Sequence, residues 1–299
     1  MKKTIFYILI VLVTCTINAQ NSVLKTKISQ KANALESKVI QWRRELHQNP
    51  ELGNREYKTA EKIAAYLQSI GIEVKTGIAK TGVVGILKGG KPGPVVALRA
   101  DMDALPVKER VNIPFASKIE GEYNNQKVNV MHACGHDTHV AMLMGTATIL
   151  AELRKDIKGT VKFIFQPAEE GRAGAKQMID DGLFDQFPAD CVFGMHNFPD
   201  IPVGHFAVKS GAMMASSDSF EIIITGKATH AAIPHLGCDP IVVAAQLINS
   251  LQTIVSRNID PSDCAVLSIT QIHAGNTWNA IPESVVLRGT FRSFNENVK

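Results

Sequence analysis

The sequence predicts an α/β protein: a mixed, mostly parallel sheet with flanking helices, followed by a smaller α+β unit of ferredoxin-like order. Three observations carry this. Apolar strands at residues 94–98, 161–165 and 191–193 each run out into acidic residues or histidine. Helix-patterned segments at 141–153 and 173–181 accompany them, as in sheets whose binding crevice lies beyond the carboxyl ends of the strands. From about Ser216 the order becomes strand, helix, strand, strand, half of a β-α-β-β-α-β unit. The predicted segments are therefore 1–19, 20–215 and 216–299. With 299 residues, 45% of them hydrophobic and 20% charged, the chain can bury a sizeable core and is not of the disordered class.

A basic start at Lys2-Lys3, a short apolar run over residues 5–13 and the small-residue site Ile17-Asn18-Ala19 predict a signal peptide cleaved near Ala19 and an exported protein. Lipidation at Cys15 is the competing reading, and Thr14 before it is a poor fit. Loss of the leader's two lysines leaves 30 basic against 28 acidic residues, and no basic stripe points to nucleic acid. Cys134, Cys191, Cys238 and Cys264 predict no disulfide framework, with one bridge, Cys238–Cys264, left open.

Residues 32–47 have helical periodicity in Leu35, Val39, Ile40, Trp42 and Leu46 and stop at Asn49-Pro50. A second amphipathic helix, 57–70, carries Ala60, Ile63, Ala64 and Leu67 on one face and ends at Gly71. Both read as scaffold. Strands at 82–88 and 94–98, joined by Gly89-Gly90-Lys91-Pro92-Gly93, read as antiparallel neighbours around a turn. In the second unit, strands at 220–225, 265–272 and 285–292 accompany a helix at 240–255 with Ile241, Val242, Ala245, Ile248 and Leu251 inward. Residues 295–298 read as the start of a second helix, so that both units read as incomplete at the carboxyl end.

Residues 131–139 read Met-His-Ala-Cys-Gly-His-Asp-Thr-His. That density of metal ligands, or of nucleophile and base, is more than a core requires. A structural zinc knot would want paired Cys-x2-Cys spacing, which Cys134 lacks. Asp101 and Asp103 follow one strand, Glu169 and Glu170 a second, and His196 a third, so all should converge on the Cys134/His136 loop. Neighbouring residues point in different directions, so one of the two glutamates can bind metal while the other faces substrate as a general base. Sulfur, nitrogen and oxygen donors together suit zinc, with manganese or cobalt also compatible.

Five motifs then appear in order: Arg43-Arg44-Glu45-Leu46-His47 with Pro50-Glu51-Leu52; Leu98 to Pro106 around Asp101-Met102-Asp103; Met131 to Asp137; Gln166-Pro167-Ala168-Glu169-Glu170-Gly171; and Gly194-Met195-His196-Asn197. Together they resemble the amidohydrolase branch of the aminoacylase/carboxypeptidase metallohydrolases, which includes hippurate hydrolase and the auxin-conjugate amidohydrolases. The resemblance implies two divalent metal ions held by Cys134, His136, Glu170 and His196, with Glu169 as general base and Asp103 and Asp137 in support. It also makes the second unit an inserted lid and dimerisation domain. There Gly226 to Ala232, with Ala228-Thr229 as a mild departure, implies that His230 stabilises the oxyanion. Gly275 to Pro282 implies that Asn279 holds substrate. The expected substrate is an N-acyl amino acid or a related conjugate, and the expected assembly a homodimer through the lid. Two rivals accompany this reading. One is a thiol hydrolase with Cys134 as nucleophile and His136 or His139 as base. The other is an inactive metal-binding fragment, since the family's further histidine ligand is expected beyond Lys299.

Overall fold

The computed structural model describes the backbone from Lys2 and the side chains from Val23 to Lys299. The expected leader, residues 1–19, lies outside the residues with described side chains. Among the described residues no helix is long and apolar enough to cross a membrane. The chain divides into two compact units, Met1–Pro199 and Asp200–Lys299.

The first unit opens with helices α1 (Lys2–Gln48) and α2 (Tyr57–Ser69) and strands β1 (Glu73–Ile78), β2 (Gly82–Lys88) and β3 (Lys91–Asp101). A hairpin follows, β4 (Glu120–Tyr123) and β5 (Gln126–Asn129), then α3 (His136–Glu152) and β6 (Lys158–Gln166). Short helical pieces α4 (Glu169–Arg172), α5 (Gly174–Asp180) and α6 (Leu183–Gln186) lead to β7 (Cys191–Gly194). The sheet order is β1-β2-β6-β3-β7, antiparallel as far as β6 and parallel from β6 through β3 to β7. The expectation that β2 and β3 pair with each other is therefore corrected: β6 lies between them. Their Gly/Pro-rich connection spans that gap, and its amides bond instead to Gly159, Arg154 and Ile157.

Side chains alternate across the sheet. Val83, Phe163 and Phe165 face one side and pack with Trp42 and Leu46 of α1, Ile63 and Leu67 of α2, and Val140 and Met144 of α3. Val84, Ala97 and Ile164 face the other, against Met178, Leu183 and Phe187. Gly145 lets α3 lie close to α1, since a Cβ there would meet the Val39 methyl at 2.9 Å. The expectation that residues 191–193 form a buried strand is corrected too. β7 pairs only with β3, and Val192 and Phe193 are 48% and 60% exposed.

The second unit contains β8 (Asp218–Thr225), β9 (Thr229–His230), α7 (Pro240–Thr253), β10 (Ala265–Ala274), β11 (Ala280–Ile281) and β12 (Ser284–Ser293). Its sheet runs β10-β12-β8, antiparallel throughout, and α7 covers one face through Ala244, Leu247 and Ile248 against Ile222, Ile224, Val285 and Leu287. The inward face assigned from sequence is thus corrected at Ile241, Val242 and Ala245, which are exposed. Apolar residues all around this helix left its periodicity ambiguous. Asp239 caps it, its Oδ1 accepting from the Ile241 amide at 2.8 Å. Residues 295–299 form a turn rather than a helix, closed by Val298 N–H to Asn295 O.

Phe163 is fully buried in the central strand, so Phe163→Ala should lower unfolding stability by about 3–5 kcal/mol. Urea titration reads this as a lower midpoint at unchanged slope; a midpoint equal to wild type would contradict the assignment of this core.

Candidate metal centre

The site grows from three strand ends and one helix start. β3 ends in Asp101 and continues to Asp103; β6 ends in Gln166 and turns through Pro167-Ala168 into Glu169-Glu170; β7 passes into Met195-His196. α3 begins at His136 itself, earlier than its apolar pattern indicated, so Cys134 precedes its first turn and Asp137 lies within it.

The β6 turn is held under restraint. Ala168 has a left-handed φ of 51°, uncommon for a residue with a Cβ. Its N–H donates to Oε1 of the fully buried Glu56 at 2.8 Å, while the Thr81 hydroxyl donates to Oε2 at 2.6 Å. Burial pushes the Glu56 carboxyl up, against the hydrogen bonds that pull it down. The amides of Glu169 and Glu170 donate to the two oxygens of Asp103, both at 2.9 Å. Asp103 thereby ties the end of β3 to the two glutamates.

The imidazoles are fixed as well. His136 Nδ1 donates to the Asp103 carbonyl at 2.8 Å and His196 Nδ1 to the Asn197 carbonyl at 2.7 Å. Carbonyls only accept, so both rings carry a proton on Nδ1, and in the neutral form each keeps its lone pair on Nε2. His196 Nε2 is 3.5 Å from Cys134 Sγ. His136 Nε2 is buried without a hydrogen-bond partner, as is Glu170 Oε1. Around that nitrogen stand Asp101 Oδ2 at 3.6 Å and Glu169 Oε2 and Glu170 Oε1, both at 3.9 Å.

Among the described residues two groups offer converging ligand atoms, each within 4.8 Å of one another: Cys134, His136 and Glu170, and Asp101, His136, His139 and His196. An orphaned buried nitrogen and an orphaned buried oxygen beside a thiol, ringed by carboxylates, fit a divalent cation. A ligating histidine that donates its other N–H to a carbonyl is the usual companion of such an ion. The local field agrees. Burial lowers the affinity of His136 for a proton, yet Asp103, Asp101 and Glu170 outweigh it and raise its pKa. Burial pushes the Cys134 thiol up to about 12, and the carboxylates of Glu170, Glu169 and Asp101 add to this. A thiol held so firmly protonated is the opposite of an activated nucleophile, which argues against the thiol-hydrolase reading.

Sequence reasoning brought Asp101 to the Cys134/His136 loop but missed how it is bonded, and missed two further features. Asp101 is fully buried; burial pushes its carboxyl up, but the His139 bond at 2.6 Å, Arg99 at 2.7 Å and the charges of His136 and His139 hold it at about 2. Asp137 is tied to α1: its Oδ2 accepts from Arg43 Nε and His47 Nδ1, both at 2.9 Å, while its Oδ1 is buried without a hydrogen-bond partner, and His47 Nε2 reaches Glu109 at 2.8 Å. Gly135 is left-handed at φ 84°, and a Cβ there would strike the Asn197 side chain at 2.5 Å. Only the Arg43/His47 spacing of one helical turn hinted at any of these. In the second unit, β9 and β11 pair so that Ala280 stands opposite His230, and Ala231 N–H bonds Asn279 O at 2.9 Å. His230 and Asn279, 49 positions apart, are therefore neighbours. His230 Nδ1 accepts from the Ala232 amide at 3.1 Å, which leaves Nε2 to carry the proton when the ring is neutral. Cys134, Cys191, Cys238 and Cys264 are all free thiols, so the Cys238–Cys264 bridge is not formed.

A family model described as peptidase family M20/M25/M40 matches residues 97–292. Over 267 residues the chain is 48% identical to an N-acetylcysteine deacetylase of Bacillus subtilis, covering 89% of this chain and 68% of that protein. It is 46% identical over 257 residues to a hippurate hydrolase of Campylobacter jejuni, covering 86% and 64%. Among solved structures, the YXEP protein of Bacillus subtilis, described as a dinuclear metal-binding peptidase of the M20 family, superimposes with a TM-score of 0.72 at 44% identity, covering 89% of this chain and 66% of that one. The chain thus spans about two thirds of the length of the relatives it matches.

Two outcomes test this geometry. Gly135→Ala should destabilise the site on two counts, the left-handed φ and the Asn197 clash, and bind Zn2+ more weakly than wild type by calorimetry; equal affinity would contradict the close packing. The second concerns pH. Asp137 raises the His47 pKa, against burial that lowers it, with Glu109 helping. The His47 contribution is therefore fully present below the unfolded value of about 6.5 and is lost as pH rises through the folded value. Burial raises the Asp137 pKa, but His47, His132 and Arg43 lower it further. Its contribution is present above about 3.9 and fades as pH falls through the folded value. The Tm gap between wild type and His47→Gln should be widest near pH 5–6 and shrink toward pH 9; a gap that widens there would contradict a charged His47.

Proposed function

Because the chain belongs to peptidase family M20/M25/M40 and is similar to an N-acetylcysteine deacetylase, a hippurate hydrolase and a dinuclear metal-binding peptidase, we propose that it hydrolyses the amide bond of N-acyl amino acids or related conjugates. The observation that carries this is the pair of Nδ1-tied imidazoles, His136 and His196: His136 Nε2 is unpartnered and converges with Cys134 and Glu170, and His196 Nε2 meets the Cys134 thiol at 3.5 Å. Those four residues would hold the divalent ions, two by analogy with the dinuclear relative, with zinc favoured by the sulfur donor and manganese or cobalt compatible. When bound, the ions lower the pKa of water and polarise the substrate carbonyl.

The remaining chemistry belongs to side chains. The carboxylate of Glu169, 40% exposed beside the buried donors, takes the proton from the attacking water and returns it to the leaving amine. Its amide is fixed on Asp103, so its backbone does not drift as its charge changes. His230, with Nε2 as the protonated nitrogen of the neutral ring, donates to the oxyanion, and Asn279, in the turn just before the paired strand β11, orients the substrate. The second unit serves as lid and as the face of a homodimer, whose mass in solution sedimentation velocity measures. Export through a leader cleaved near Ala19 completes the reading; the amino terminus of the mature protein, sequenced from the exported fraction, checks it.

Glu169→Gln should keep its metal, measured by elemental analysis, while losing about 10²–10⁴-fold in kcat on N-acetyl or N-benzoyl amino acids. Near-normal turnover in the metal-loaded variant would rule out Glu169 as the base.

A further inference from the structure

His139 has the outward form of a metal ligand. It is 3% exposed, one helical turn beyond His136, its ring 5.6 Å from that of His136 and 4.7 Å from that of His196. Its ligand atom lies within 4.8 Å of those of Asp101, His136 and His196. The hydrogen bonds say otherwise. The Asn197 amide donates to His139 Nε2 at 3.0 Å, and an N–H can only donate, so Nε2 spends its lone pair there. Nδ1 must then carry the proton, and it meets Asp101 Oδ1 at 2.6 Å. The other oxygen of Asp101 accepts from Arg99 Nη1 at 2.7 Å. Both nitrogens of His139 are consumed by backbone and carboxylate, whereas Nε2 of His136 has no hydrogen-bond partner and Nε2 of His196 meets only the Cys134 thiol, itself one of the proposed ligands.

We propose that His139 is a positioning residue, a rigid bridge from the Asp101 carboxylate to the Asn197 backbone that sets where His196 presents its Nε2. The proposal rests on the metal-centre reading above. His196 itself is exposed, on the segment that follows the single-paired strand β7. Its Nδ1 bonds only its neighbour, the Asn197 carbonyl, which turns the ring but does not anchor the segment. Two contacts anchor it: the His139 bond to the Asn197 amide, and the Asn197 side chain seated on the Cα of Gly135. Asp101 supplies the fixed end of the bridge, since it is fully buried and doubly bonded. The order Arg99, Asp101, His139, Asn197 thus carries the rigidity of strand β3 to a ligand on the next strand's exit. Asp101 also stands 3.6 Å from His136 Nε2, so its charge favours a cation without being among the four donors.

The decisive readout is ring 15N NMR of the full chain with labelled histidine, before and after Zn2+. The Nε2 resonances of His136 and His196 should move on zinc addition, while His139 stays in the Nδ1–H form with Nε2 unshifted. In parallel, His139→Gln should bind as many ions per chain as wild type, with affinity weakened about 10–100-fold. A zinc-dependent shift of His139 Nε2, or loss of an ion in the variant, would make His139 a ligand and overturn the proposal. So would a folded variant that binds zinc as tightly as wild type, since the bridge would then do nothing. If the rings of His136 and His196 also ignore zinc, the metal-centre reading itself falls, an outcome distinct from the others because it appears in the unsubstituted chain.

Discussion

The carboxylate of Asp103 accepts two backbone amides, those of Glu169 and Glu170, and the rest of the site depends on that joint. It makes two strand ends a single rigid object, with the Asp103 carbonyl at the same time taking the Nδ1 proton of His136. One residue therefore sets the position of two carboxylates and the tautomer of an imidazole. Buried hydrogen bonds to a carboxylate are stronger than neutral ones, and both oxygens of Asp103 are used. The strained Ala168 in the same turn is held by Glu56 from another helix's edge, so the turn is restrained from both sides.

Much of this was legible in the sequence because chemistry and topology coincide. Apolar strands ending in Asp101, Glu169 and His196 can only be parallel neighbours if their polar exits meet, and β6, β3 and β7 do lie side by side. The interposed β6 was not legible from local signals: Gly89 to Gly93 reads as a turn, and nothing nearby records that a strand 70 residues later would fill the gap. The short pairs β4–β5 and β9–β11 were missed for a related reason. Two to four residues give no periodicity to detect.

Polar partners were the least legible. Arg43 and His47 sit one turn apart beside the core residues Trp42 and Leu46, and their partner Asp137 lies 90 positions beyond His47. The histidines of residues 131–139 cannot be sorted by spacing either, because their roles follow from which nitrogen holds the proton. His136, His139 and His132 share one short stretch; one presents a lone pair to the cluster, one bridges a carboxylate to an amide, and one is buried with neither nitrogen hydrogen-bonded. That burial holds the His132 pKa down to about 4, so this ring stays neutral where His47 is charged.

The ribbon of β9 and β11 has a consequence for how this stretch of the chain can change. Because Ala280 pairs with His230 and the Asn279 carbonyl is bonded to the Ala231 amide, the two polar groups share one local frame. An inserted or deleted residue between Gly275 and Pro282 would slip that register and displace the histidine along with the asparagine. Loop-length variation is therefore penalised at this place. Diversification should instead proceed by side-chain replacement at constant length.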